Sequence, residues 1–154
     1  LNTEGSFIKL RDLNGVDGAP SLGGFIKGND NYFYGAGGLP GTIFKANAQG
    51  SIINLKKLNG TSEGSLPWGR LFLGSDGNFY GTCVSGGLYN SGTIFKISAS
   101  GTFTKIKDLL PMEGKNPYGG LVQGSDGDYF GMCSTGGLNG HGTIFKISSS
   151  GTFT

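Results

Sequence analysis

The pentapeptide Gly-Thr-Ile-Phe-Lys occurs three times, at residues 41–45, 92–96 and 142–146, and this repetition constrains the fold more than any other feature. Its phenylalanines, Phe44, Phe95 and Phe145, stand 51 and 50 residues apart. A fixed period of about 40 to 50 residues with several strand signals in each is the pattern of β-propeller blades. Aligned on their glycines, the repeats run over residues 5–49, 50–100 and 101–150, and residues 151–154 begin a further strand. Both ends fall outside the natural boundaries of the unit, so the chain reads as a piece of a longer array.

Composition fits an all-β, turn-dense chain. The 32 glycines among 154 residues are about three times the usual share. They separate short runs rich in Phe, Tyr, Ile and Leu, as turns between strands require. A flexible linker lacks such runs, and a collagen would need glycine at every third position. The net charge of +2 comes from lysines spread over all three repeats, so no basic patch points to nucleic acid. No apolar stretch approaches the roughly 20 residues needed to span a bilayer, and no signal peptide is visible.

Four strands are expected per repeat. The first covers residues 23–27, 69–73 and 119–123, each leading into an Asx- and Gly-rich turn suited to a tight hairpin. The second covers 32–35, 78–83 and 128–133, and the third is the repeated pentapeptide with its continuation. In that third strand Thr93, Phe95 and Ile97 share one face and Ile94 takes the other, so both faces are apolar, as in a sheet covered on both sides. The fourth strand starts at Ser6, Ser51 and Thr102. Its apolar residues, Phe7, Leu10 and Leu13 in the first copy, step by three, which reads as a twisted outer strand with a bend. Its Lys9, Arg11, Lys56, Lys57, Lys105 and Lys107 are charges of the kind that keep an edge from pairing with strangers. The expected architecture is therefore a β-propeller of about three four-stranded blades, an incomplete ring unless extended or oligomeric.

The order Gly-Ser-Asp-Gly-Asn-Phe-Tyr-Gly (74–81), Gly-Thr-Ile-Phe-Lys-Ile-Ser (92–98) and Gly-Thr-Phe-Thr (101–104) resembles an NHL-type blade. The full set of motifs is more closely similar to the extracellular tandem repeat of the Gloeo_Verruco type, over essentially the whole chain. The first copy departs from it at Asn29, at Asn31 and in a contracted segment between its second and third strands. The resemblance implies a secreted or surface-exposed bacterial propeller and lends it no established activity.

Residues present in every repeat are expected to serve the blade. Asp30, Asp76 and Asp126 recur at the first turn, where a carboxylate closes its own turn. Asp17, Glu63 and Glu113 recur 11 residues before Gly28, Gly74 and Gly124. Two readings stand for them: loop caps that accept backbone N–H bonds, or a ring of carboxylates that attracts a cation.

Residues that differ between copies gather on the loops joining fourth to first and second to third strands, which emerge at one end of the blades. Leu22, Trp68 and Tyr118 share one position there, and Tyr89, Asn90, Asn139 and His141 stand on the longer loops. Binding residues usually accumulate on loops of a rigid scaffold. The candidate ligand residues are therefore Trp68, Arg70, Tyr89, Asn90, Tyr118, Asn139 and His141, for a glycan or protein ligand. The opposing reading is that Trp68 and Tyr118 pack between blades. From Gly35 to Gly41 the first repeat runs six residues where the others run 11, so a pocket on this face would open over the first blade.

Cys83 and Cys133 hold equivalent positions in sheets expected about 10 Å apart, beyond the roughly 7 Å Cα limit of a disulfide, and read as buried thiols. One histidine and two cysteines are too few for a zinc site, and no cofactor or metal is expected. Arg70, which replaces Gly24 and Gly120, suits a carboxylate or sulfate, or a pairing with Glu63. With no carboxylate pair, triad or phosphate loop beside it, the chain is not expected to be an enzyme. The favoured reading is a non-catalytic extracellular or cell-surface module for binding or display, with a purely structural spacer as the alternative and a propeller enzyme acting on polysaccharide behind both. Three blades do not close a propeller, so the expected partners are further blades of the same parent chain or a second copy, with the strand at 6–13 completing another copy's last blade.

Overall fold

The computed structural model describes Gly5 and residues 7–14 and 23–154. Ser6, Asp17 and Leu22 lie outside the described residues. Among the described residues eleven strands form three antiparallel sheets and no helix occurs. The first sheet orders β1 (Ile26–Lys27), β2 (Phe33–Gly37), β3 (Thr42–Ala46) and β4 (Ile52–Lys57) side by side. The second repeats this with β5 (Phe72–Leu73), β6 (Phe79–Cys83), β7 (Thr93–Ile97) and β8 (Phe103–Asp108). The third holds β9 (Val122–Gln123), β10 (Tyr129–Cys133) and β11 (Thr143–Ile147), and Phe153 bridges to Ile147 where a fourth strand would start. Each sheet thus takes its outer strand from the following sequence repeat.

The repeated pentapeptide forms the third strand of every sheet, as expected. The first strands are shorter than the sequence suggested, two residues in place of five. Their glycine-rich beginnings lie against the neighbouring sheet instead of pairing. A Cβ on Gly69 would stand 2.7 Å from the carbonyl oxygen of Gly119, and one on Gly23 would stand 2.7 Å from Arg70 N. Only a residue without a side chain permits that approach.

The three-residue step of the outer strand has a structural cause. Phe95 faces Lys105 and Ile94 faces Lys107, so the register shifts between them and Ile106 is the extra residue of a β-bulge. The same shift falls between Ile43 and Phe44. A bulge adds one residue and bends the strand. Phe103 and Ile106 consequently pack on the core and Leu109 is fully buried. The lysines of these strands are paired as well as edge-guarding: Lys56 with Glu63 at 2.7 Å, Lys105 with Asp108 at 2.7 Å and Lys107 with Glu113 at 2.8 Å.

Successive sheets pack face to face around two apolar clusters. Tyr34, Ala36 and Ile43 of the first sheet meet Leu71, Phe79, Cys83, Phe95 and Ile97 of the second. Tyr80 and Ile94 of the second meet Leu121, Tyr129, Cys133, Phe145 and Ile147 of the third. At the centre of each junction two rings stack, Tyr34 on Phe79 at 3.8 Å and Tyr80 on Tyr129 at 4.1 Å.

The first turns are Asx turns. Asp30, Asp76 and Asp126 each accept the backbone N–H two residues on, at 3.3, 3.1 and 3.2 Å. In the first two repeats the other carboxylate oxygen accepts the buried Tyr34 and Tyr80 hydroxyls, at 2.7 and 2.9 Å. Asn31, where the other copies have Gly77 and Gly127, adopts φ 63°, a left-handed conformation that Asn tolerates.

Candidate functional site

The two kinds of variable loop do emerge together. Ser65 bridges Ser85, and Lys115 bridges Thr135, joining each loop that enters a sheet to the loop between that sheet's second and third strands. The repeated threonine fastens them further: Thr93 Oγ1 donates to Glu63 O at 2.9 Å and Thr143 Oγ1 to Glu113 O at 2.7 Å. A constant strand therefore anchors a variable rim.

On that rim Glu63 and Glu113 are loop caps. Glu63 accepts the Asn59 N–H at 3.0 Å, and Glu113 accepts the Leu110 N–H at 2.9 Å, each beside its lysine. Partial burial pushes the Glu63 carboxyl up, but the hydrogen bonds from Lys56 and Asn59 and the charges of Lys56 and Lys105 outweigh it and hold it below the usual range. Of the two readings the loop cap is the one these two residues fulfil, each also pairing with its own lysine; Asp17 lies outside the described residues. No three His, Cys, Asp or Glu side chains come together among the described residues.

Trp68 and Tyr118 stack on one another across the second and third sheets, 6.0 Å between ring centroids and 24° between planes. They sit between blades, with Tyr118 half exposed, and Trp68 Nε1 is closed off from solvent without a hydrogen-bond partner. Arg70 is exposed on the inner segment, and its Nε–H donates to the Phe25 carbonyl at 3.2 Å. It makes no pair with Glu63, whose carboxylate is held by Lys56.

Asn90 closes its own loop: at φ 48° its Oδ1 accepts the Gly86 N–H at 3.0 Å. Tyr89 and Asn139 are exposed on the loops, and His141 is exposed where its loop closes by a bridge to Gly136. Ser91, the counterpart of His141, is fully buried, and its carbonyl accepts the Asn116 N–H of the next loop at 3.0 Å. The candidates thus divide into an inner group of Trp68, Arg70 and Tyr118 and an outer group of Tyr89, Asn139 and His141. The shortened first loop, residues 38–41, puts Leu39 at the surface.

What the sequence missed is the apolar character of this end. Leu39, Leu88, Tyr89, Met112 and Leu138 are all exposed on its loops, whereas the turns at the opposite end carry no exposed large apolar residue among the described residues. The signal was present, a leucine after the glycine pairs at 37–38, 86–87 and 136–137, but recurrence marked it as scaffold.

The cysteines are free and buried, as expected. Burial pushes the Cys83 thiol up to about 12, against the hydrogen bond with Thr93, and Glu63 adds to the rise. Burial likewise raises Cys133. Neither is a poised nucleophile.

Three paired sheets, the inner glycine column and the bulged outer strands agree with a match of the whole chain, residues 1–154, to the Gloeobacter/Verrucomicrobia repeat family. The chain belongs to the Gloeobacter/Verrucomicrobia repeat family. Comparison with curated proteins gives no match. Among solved structures, this repeat chain is similar to virginiamycin B lyase from Staphylococcus aureus, at 21% identity and TM-score 0.60, over 85% of this chain and 39% of that one. It is similar to a streptogramin B lyase at 22% identity and TM-score 0.58, over 88% of this chain and 40% of that one. A catalytically inactive Staphylococcus aureus virginiamycin B lyase with quinupristin gives 20% identity and TM-score 0.59, over 86% and 39%. The chain spans about two fifths of the length of these lyases, and at such identity the likeness shows the propeller fold alone.

That likeness corrects one expectation. The lack of a carboxylate pair, triad or phosphate loop argues against an enzyme, yet the similar structures are of enzymes, so this fold is compatible with catalysis and the exclusion does not stand. Its weakness is physical: side chains that act together in a folded site need not be neighbours in sequence, so the lack of a recognisable motif is not the lack of a site.

Proposed function

We propose that this repeat module binds a glycan or protein surface in an extracellular or cell-surface setting, through the loop end of its blades. The observation that carries this reading is the asymmetry of the two ends. One presents Leu39, Leu88, Tyr89, Met112 and Leu138 to solvent, and the other presents short polar turns. Clustered exposed apolar side chains on a rigid scaffold mark interaction sites. The neighbouring Asn139 and His141 supply hydrogen-bonding groups beside that apolar surface.

Glycan and peptide arrays test the reading, with quinupristin, named with one of the similar structures, included as a small-molecule probe. A retained ligand should lose affinity about tenfold on Tyr89→Ala, the worth of one aromatic contact of about 1.4 kcal/mol, with the melting temperature unchanged. Silence on every array, or a ligand indifferent to Tyr89→Ala and Leu138→Ser, contradicts it and favours a structural spacer.

A further inference from the structure

Every sheet has a forward face, carrying the residues equivalent to Tyr34, and a backward face, carrying those equivalent to Phe79. Forward meets backward at both junctions within the chain. Two faces are left over among the described residues. The forward face of the third sheet exposes Val122 (62%), Met132 (63%) and Ile144 (79%), which with Phe130 line an open cavity of about 470 Å³. The backward face of the first sheet exposes Phe25 (51%) beside a partly buried Phe33, and both line an open cavity of about 500 Å³.

Residues 7–13 show what belongs on that second face. A Cβ on Gly50 would meet Leu10 Cβ at 2.9 Å, just as one on Gly101 would meet Leu55 O at 3.0 Å and one on Gly151 would meet Ile106 O at 3.2 Å. Leu55 and Ile106 belong to the outer strands β4 and β8 of the preceding sheets. Leu10 therefore already occupies the place of an outer strand of a sheet preceding the first. No other strand of such a sheet stands among the described residues, and Leu13 is 43% exposed, where its counterparts Leu58 and Leu109 are 2% and 0% exposed.

We propose that the forward face of the third sheet packs on the backward face of the first sheet of a second copy, with residues 9–13 of each copy continuing the outer edge of the other's third sheet beyond Thr154, which already pairs with Lys146. The contact is heterologous, and two copies arranged in this way close a ring of six sheets, within the range of about four to eight blades that propellers use. Phe130 stacks on Phe33 of the partner subunit, as Tyr34 stacks on Phe79 and Tyr80 on Tyr129. Gly119, whose Cβ position is open within one copy, then faces Gly23 of the partner subunit, completing the glycine column. The inference is independent of the ligand reading, which concerns the loop end and not the sheet faces.

Sedimentation equilibrium on the chain from micromolar to millimolar concentration tests it. The expected result is a monomer–dimer equilibrium whose dissociation constant rises at least about a hundredfold on Ile144→Asp and also rises on Gly119→Ala, with the far-ultraviolet circular dichroism unchanged. Leu88→Asp, on the loop end, should leave the equilibrium alone while impairing any ligand binding, so the two proposals fail separately. A folded monomer throughout the range overturns the proposal. So does a dimer indifferent to Ile144→Asp, or open-ended growth with concentration.

Discussion

Ile94 and Ile144 occupy the same place in the same pentapeptide, pair with equivalent residues of their sheets, and meet opposite ends: 0% exposed against 79%. The second sheet has a neighbour on its forward face and the third has none among the described residues. The pentapeptide sets strand, register and facing, but the adjacent sheet decides whether a side chain is core or surface. Identical sequence therefore does not mean identical energetics in a repeat protein, whose stability is a sum over units and their interfaces.

The largest expected effect divides the two isoleucines. Ile94→Ala should cost about 3 kcal/mol, and Ile144→Ala under about 0.5 kcal/mol, in urea unfolding at concentrations where the chain is monomeric. Equal losses would break the comparison. Next comes the glycine column: Gly69→Ala, driven against the Gly119 carbonyl, should cost about 2 kcal/mol. Gly119→Ala, with open space around it, should leave the monomer's melting temperature unchanged within a degree or so. Tyr80→Phe, which removes the hydroxyl bonded to Asp76, should cost about 1 kcal/mol. The third repeat has Phe130 at that position and lacks the bond already. The smallest effect is with acid. Asp30, Asp76 and Glu63 are each pushed up by burial and pulled further down by their hydrogen bonds, those from Tyr34 and Lys45 on Asp30, Asn78 and Tyr80 on Asp76, and Lys56 and Asn59 on Glu63. Carboxyls depressed on folding contribute stability that is complete above their unfolded values, about 4, and is lost as pH falls through the folded ones. Denaturation followed from pH 6 to pH 2 should show the loss beginning below about pH 4, and a Glu63→Gln variant should show less of it.

Much of the fold was legible because the chain states it three times. The repeated pentapeptide marked the third strands, the Asx turns marked the hairpins, and the equivalent places of Cys83 and Cys133 in successive sheets argued for buried thiols over a bridge. Three features were hidden for physical reasons. The shortness of the first strands reflects close backbone approach between sheets, which no periodicity within a strand reports. The step of three in the outer strands was visible, but its cause is a bulge against the third strand, a property of pairing. The ion pairs of Lys56 and Lys107 join residues whose proximity depends on a loop turning back. For the rim, sequence variation separated loops from scaffold but could not tell Asn90, which closes its own loop, from Tyr89, which faces solvent. The leucines at 39, 88 and 138 recur in every repeat, and recurrence points to service to the blade without saying whether a side chain is buried or exposed.

The forward-to-backward rule is tested most directly by cross-linking two singly substituted copies in a Cys83→Ala, Cys133→Ala background. One carries Phe33→Cys and the other Phe130→Cys, mixed and treated with a short bis-maleimide. The rule predicts a covalent dimer in the mixture and none with either variant alone. A dimer from Phe130→Cys alone would show forward faces meeting each other, and no cross-link in the mixture would show the third sheet uncovered; either result contradicts it.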